Sequence, residues 1–297
     1  MNQDKLLQLK NHSVFVGSDP DLVQASGGNT SWKNGSSVWV KGSGKRLKDA
    51  NDEEIFSTVN VRTLNEDEIA DCQDFSMFSS NSISPSIETN FHILIRNECV
   101  THLHSLGAIS IGISDEIVRA KIADLGISFV PYARPGAALA QAIRKVDGFQ
   151  EKILVLQNHG VIFSDVSCRA IEKKNEIFEN AISDLFDNLQ EQPHLPGWKE
   201  ILISGVLTPD EAVFLGKTPF VKSDSQVSGS IAISKSGELL FPPNFSSDRI
   251  ELAHFYVRVA KKIEKKTQVN YLSSYEVDSL VSWEKEIKRI EMADRCN

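Results

Sequence analysis

From Val100 to about residue 192 the chain alternates short apolar runs with amphipathic stretches, and that alternation restricts it to a layered α/β fold. Residues 100–113 alternate and then turn mostly apolar, which predicts one or two strands with a well-buried face. A helix follows over 116–124, ending at Gly126, then a strand over 127–132 and a helix over 137–145. Residues 153–156 form a four-residue buried strand, and 168–192 the longest amphipathic helix. Upstream, residues 4–12 and 20–25 read as short helical pieces. Asn34-Gly35, between two strand-like runs, is a hairpin signal because both residues tolerate the positive φ of a type I′ turn. Pro85 and Ser86 precede a helix expected over 86–97.

The run from Gln192 to Gly197, with two prolines, marks a boundary between a first domain over 1–195 and an extension over 196–297. The extension is packed on, or continuous with, the first domain. It holds a strand or turn region over 201–221, a hairpin at Ser236-Gly237 and helices over 247–266 and 274–294. No part of it concentrates the residue types of catalysis.

A net charge of −8 argues against nucleic acid as a partner. Any anion must then be met by a local pocket rather than by the field of the whole chain. No run approaches the roughly 20 apolar residues of a membrane helix, so no membrane partner is expected. The polar N-terminus has no signal-peptide stretch, and Cys72, Cys99, Cys168 and Cys296 form no CxxC pair. Reduced thiols and a cytoplasmic location are the expectation.

Chemistry enters at Thr101-His102-Leu103-His104. Side chains two apart on a strand share a face, so His102 and His104 can offer two imidazoles to one ion, or stand as a half-buried structural pair. His159, in Asn158-His159-Gly160 after a strand, is a third donor or a turn residue. Three neutral imidazoles with an open position match a catalytic zinc site. Glu88 stands in the first turn of its helix, either as a working carboxylate or as a charge favourable to the helix dipole. Ser26-Gly27-Gly28-Asn29 and Gly42-Ser43-Gly44-Lys45 flank one hairpin, as an anion-binding nest or as two tight turns. Arg46 stands where a P-loop needs Ser or Thr, so nucleotide hydrolysis is a poor reading.

Taken in order, Gly-Gly-Asn-Thr-Ser, Gly-Ser-Gly, Pro-Ser-Ile-Glu-Thr-x-x-His, His-x-His and Asn-His-Gly resemble the class II aldolase/adducin-head superfamily over roughly residues 5–192. The resemblance implies a three-layer α/β/α sandwich around a central, largely antiparallel sheet, correcting the parallel sheet that alternation alone suggests. It implies that residues 1–195 are the metal-dependent catalytic domain. His102, His104 and His159 would bind Zn²⁺ or another divalent cation, and Glu88 would be the acid/base. Gly28, Asn29, Ser43, Gly44 and Ser86 match phosphate-binding positions. Tyr132 is the candidate tyrosine acid, supplied across a subunit interface of a homotetramer.

The implied reaction is aldol cleavage or formation of a C–C bond in a phosphorylated ketose. Epimerisation, dehydration and decarboxylation on the same scaffold are alternatives, as is a non-catalytic, adducin-like interaction module. Two positions depart from the family pattern. Ile87 replaces a second serine, and Ser84 replaces a basic residue before the proline. The phosphate hydrogen bond of that serine would fall to Lys41 or Lys45, or the substrate carries no phosphate there.

Overall fold

The computed structural model describes residues 3–122, 125–243 and 245–295. Among them seven strands form the main sheet: β1 (Asn29–Asn34), β2 (Ser37–Lys41), β3 (Phe56–Asn60), β4 (Cys99–Leu103), β5 (Ile127–Val130), β6 (Ile153–Leu156) and β7 (Gly160–Asp165). Their spatial order is β3-β2-β1-β4-β7-β6-β5, and only β5 and β6 run parallel. The chain is thus an α/β fold with a large, mostly antiparallel sheet. The Asn34-Gly35 turn closes the β1–β2 hairpin, in which Asn34 faces Ser37.

The helices are α1 (Gln3–Gly17), α2 (Glu66–Asp71), α3 (Thr89–Leu94), α4 (Leu106–Gly112), α5 (Glu116–Ala120), α6 (Ala137–Arg144), α7 (Cys168–Asn188), α8 (Trp198–Ser204), α9 (Ser247–Ile263), α10 (Ser274–Val281) and α11 (Glu284–Arg295). A small second sheet joins β8 (Phe220–Lys222), β9 (Ile231–Ile233) and β10 (Leu239–Leu240), with the Ser236-Gly237 turn between the last two. Alternation along β4 sends successive residues to opposite faces. Cys99 and Leu103 join an apolar cluster with Leu9, Ile109 and Phe178, from α1, α4 and α7. Val100 joins another with Phe91, Leu139 and Ile143, from α3 and α6. Each such fully buried side chain stabilises the fold by about 1.5–3 kcal/mol.

Several elements differ from their expected bounds. Residues 100–113 hold a single strand; after His104, Ser105 accepts a hydrogen bond from Ala108 N and starts α4 instead of a second strand. All of α4 from Gly107 to Gly112 is buried, so its sequence carries no polar stripe to betray a helix. The N-terminal helical piece extends to Gly17, with Leu9, His12, Ser13 and Val16 packed inward, while residues 20–25 are turns. The helix expected over 86–97 is confined to Thr89–Leu94.

Helix α5 ends at Ala120, and Ala123 and Asp124 of the expected helix lie outside the described residues. The region 201–221 contains the end of α8 and one π-helical turn, Glu211–Leu215, before β8. The last expected helix is broken at Ser282 and Trp283 into α10 and α11. Cys72, Cys99 and Cys168 are free thiols, and Cys296 lies outside the described residues. No described helix is long and apolar enough to cross a membrane.

The residues beyond 196 are tied to the main sheet through Asn158, whose amide donates to Leu207 O at 2.8 Å and Asn270 O at 2.7 Å. Helix α9 packs on α4 and α8.

Candidate active site

His102 sits on the central strand β4, opposite Asn29 of β1 and Ile162 of β7. His104 follows just past the strand's end, and His159 occupies the tight β6–β7 turn. That turn works because residue 160 is glycine: a Cβ there would lie 2.2 Å from Leu103 O, so only glycine lets β7 start this close to β4. The three rings meet with centroids 4.8, 4.8 and 5.1 Å apart. Their ligating nitrogens all lie within 4.8 Å of one another, and all three residues are buried.

The hydrogen bonds of the rings fix where their lone pairs point. His102 Nδ1 donates to Val161 O at 3.0 Å, and His104 Nδ1 lies 3.0 Å from Asp210 Oδ2, an arrangement in which it donates. Each Nε2 is then left with a lone pair, and the two Nε2 atoms face each other at 3.0 Å. Two lone pairs at that distance repel unless a cation, a proton or a metal ion, lies between them.

Glu88 completes the group. Its Oε2 is 3.6 Å from His102 Nε2 and its Oε1 is 3.5 Å from His159 Nε2. Oε1 is buried with no hydrogen-bond donor. Although Glu88 precedes α3, its side chain caps nothing there and turns instead towards the histidines. Three imidazole nitrogens and a carboxylate oxygen are a donor set that suits Zn²⁺ and related divalent ions. A buried histidine triad able to bind a metal is therefore present.

Electrostatics favour the deprotonated ligands. Burial pushes His102 down to about 3 and His159 down to about 4, against the raising effect of Glu88, so both rings are neutral at neutral pH. Burial works against ionisation of Glu88, but His102, His159, His104 and the Asn29 amide outweigh it and hold the carboxyl at about 2.

A relay orients the carboxylate. Ser31 Oγ lies 2.7 Å from His92 Nδ1, and His92 Nε2 donates to Asn29 Oδ1. This turns the Asn29 amide so that Nδ2 donates to Glu88 Oε2 at 2.8 Å and to Ser86 Oγ at 3.4 Å. Ser86 Oγ in turn accepts from Glu88 N at 3.2 Å.

Gly28, Asn29, Ser43, Gly44 and Ser86 come together with Glu88, His104 and His159 around one cavity of about 20 Å³, room for about one water. Wider clefts of about 690 and 200 Å³ open outward from it and share Ser43. Lys41 also lines the inner cavity; its Nζ donates to Ser26 O at 2.6 Å, and burial, then Arg289, push it down to about 7. Lys45 lies in the outer cleft, 3.1 Å from Glu53.

Tyr132 is not brought to this cavity. It is half-buried against the core, and burial, with Glu276 next, pushes its phenol above the usual range. Conversely, two residues of the extension are at the site although its sequence shows no catalytic concentration. Arg289 lines the cavity and Asp210 touches His104. Burial opposes ionisation of Asp210, but Arg289 and His104 hold it well below the usual carboxylate range. His92 was legible as the last residue of Pro-Ser-Ile-Glu-Thr-x-x-His, whereas no local pattern marks Asp210 or Arg289.

A family model, the class II aldolase and adducin N-terminal domain, matches residues 15–183. The chain belongs to that family. Among solved structures it is similar to the N-terminal class II aldolase domain of a conserved protein from Thermoplasma acidophilum, at 23% identity and TM-score 0.50, covering 62% of this chain and 94% of that one. It is likewise similar to a sugar-phosphate aldolase from Thermotoga maritima, at 14% identity and TM-score 0.50, with the same coverage of 62% and 94%. These likenesses are of fold. No curated protein matches the chain.

Proposed function

We propose that the chain is a metal-dependent aldolase that cleaves or forms a C–C bond of a phosphorylated ketose. The observation that carries this reading is the pair of His102 and His104 Nε2 atoms facing at 3.0 Å beside the donor-less Oε1 of Glu88. His102, His104 and His159 would hold the ion, with Glu88 at its edge. When bound, Zn²⁺ or another divalent cation would act as a Lewis acid for the ketose carbonyl and hydroxyl oxygens, stabilising the negative charge that develops as the bond breaks.

The protein's own groups do the rest. Glu88 is ionised at neutral pH and fixed by Asn29, so it can take a proton from the carbon next to the donor carbonyl in synthesis. In cleavage it returns that proton to the donor carbon, and the hydroxyl proton shed as the aldehyde forms passes to solvent water. Ser43, Ser86 and the backbone at Gly28 and Gly44 would receive the phosphate, with Lys41 as the nearby cation in place of a hydroxyl that Ile87 cannot supply. The reading takes residues 1–195 as the catalytic domain, in a three-layer α/β/α sandwich, and the working form as a cytoplasmic homotetramer.

To test it, the metal-loaded protein is incubated with ketose phosphates and release of glycolaldehyde phosphate or dihydroxyacetone phosphate is followed, with Glu88→Gln as control. Product with the native chain and none with the variant is expected. No product from any ketose phosphate would contradict the aldolase assignment.

Epimerisation, dehydration or decarboxylation of a sugar phosphate is the second reading, because each would draw on the same metal-stabilised anion beside Glu88. Product analysis separates the two, because epimerisation and dehydration leave the carbon chain intact.

A further inference from the structure

The orientation of an imidazole ligand is decided by what its other nitrogen bonds to. Among the three histidines here, His102 has a backbone acceptor, Val161 O, supplied by β7. His159 Nδ1 has no hydrogen-bond partner. His104 alone depends on a side chain, and that side chain, Asp210, lies outside the 15–183 matched by the family model. Asp210 immediately precedes the π-helical turn Glu211–Leu215, where the chain of the C-terminal extension comes down onto the site.

The contact is built rather than incidental. Asp210 is 5% exposed, and its carboxylate receives both terminal nitrogens of Arg289, at 2.9 and 3.2 Å. Arg289 is steadied from α11 by Glu286 at 3.2 Å. On the other side Gly27 makes room. A Cβ there would lie 2.9 Å from His104 Nδ1 and 3.2 Å from Asp210 Oδ2, against the very pair of atoms that form the contact. The first glycine of the Gly27-Gly28 pair therefore has a role besides exposing backbone N–H groups.

We propose that Asp210 is a positioning residue of the metal site. It accepts the Nδ1 proton of His104 and so fixes the tautomer and ring angle that present Nε2 to the ion. The proposal rests on the metal-binding reading above. It adds that the extension completes the site, because the carboxylate of the imidazole–carboxylate pair comes from residue 210 and its anchor from α11. A carboxylate acceptor also raises the basicity of the ligand nitrogen, so removing it weakens the metal without removing a ligand.

The test uses the full chain, stripped of metal and titrated with Zn²⁺ against a chromophoric chelator. The native protein is expected to bind one ion per chain. Asp210→Ala should weaken that affinity by roughly 10–100-fold. Asp210→Asn, whose carbonyl oxygen can still accept from Nδ1, should fall between the two. Nitrogen-15 spectra of the histidine rings should show His104 as a single Nδ1–H tautomer in the native zinc form and as a mixture in Asp210→Ala.

Arg46→Gln is the control for a merely structural effect. It breaks the Arg46–Asp248 ion pair, another tie between the extension and the main sheet region, and should leave zinc affinity unchanged. Should Asp210→Ala fail to fold, the double variant Asp210→Asn/Arg289→Gln, which removes both partners of the Asp210–Arg289 ion pair, should still show the weakened binding.

Folded Asp210 variants that bind zinc within twofold of the native chain would overturn the proposal. So would an Arg46→Gln variant weakened as much as they are. A native chain that binds no divalent ion would instead overturn the metal-site reading on which the proposal rests.

Discussion

The proposed function gives Glu88 two jobs at the residue scale, to stand beside the ion and to move a proton, and substitution can separate them. Glu88→Gln keeps the size and one oxygen but removes the base. It is expected to retain zinc in a chelator titration while turnover falls by roughly 10²–10⁴-fold, the usual worth of a positioned general base. Gly160 gives a stability prediction. Alanine there must displace the Leu103 carbonyl that its Cβ would otherwise approach to 2.2 Å. Overpacking of this kind costs about 1–3 kcal/mol, to be read from the urea midpoint of Gly160→Ala. His102, His104, His159 and Glu88 were legible because strand period and motif order put them in view. Asp210 was not, because its link to His104 spans a hundred residues of chain and exists only once the extension has folded back.

For the elements, legibility followed exposure. The α7 stripe of Ile171, Phe178 and Ile182 announced a helix because its other face is polar. Helix α4 did not, since Gly107 to Gly112 are all buried and its one local start signal is the Ser105 cap. Nor was the π-helical turn legible, as its five residues are all buried and present no polar stripe.

That turn carries a pH prediction. Burial pushes Glu211 from 4.5 up to about 8, with Leu207 N and Thr208 N acting in the opposite sense. A raised pKa means that the folded chain binds the proton more tightly than the unfolded one. The resulting stability is therefore full below about pH 4.5 and lost as pH rises through about 8. Glu211→Gln, permanently neutral, should lose that dependence. Urea unfolding at pH 5 and pH 9 should show a smaller drop in the variant than in the native chain. An equal drop in both would contradict a protonated Glu211.

The whole molecule places a mostly antiparallel sheet beneath the site and folds its C-terminal helices over it. Arg134 lies 4.5 Å above the ring of Trp283, just before α11, and Arg289 of that helix reaches the cavity. Because His104 is tied through Asp210 to the extension, a metal bound as proposed should stabilise the chain as one unit. At a free ion concentration about 100 times Kd the gain is about 2.7 kcal/mol. A single urea transition moving to higher midpoint is expected, and separate transitions with only one responding to metal would contradict the coupling.

All of the proposed chemistry requires that His102, His104 and His159 hold a divalent ion. The decisive measurement is elemental analysis after zinc loading and removal of excess metal, on the native chain and on His104→Ala. One zinc per native chain and none in a folded His104→Ala is the expected result. Equal zinc in both proteins, or none in the native chain, would contradict it.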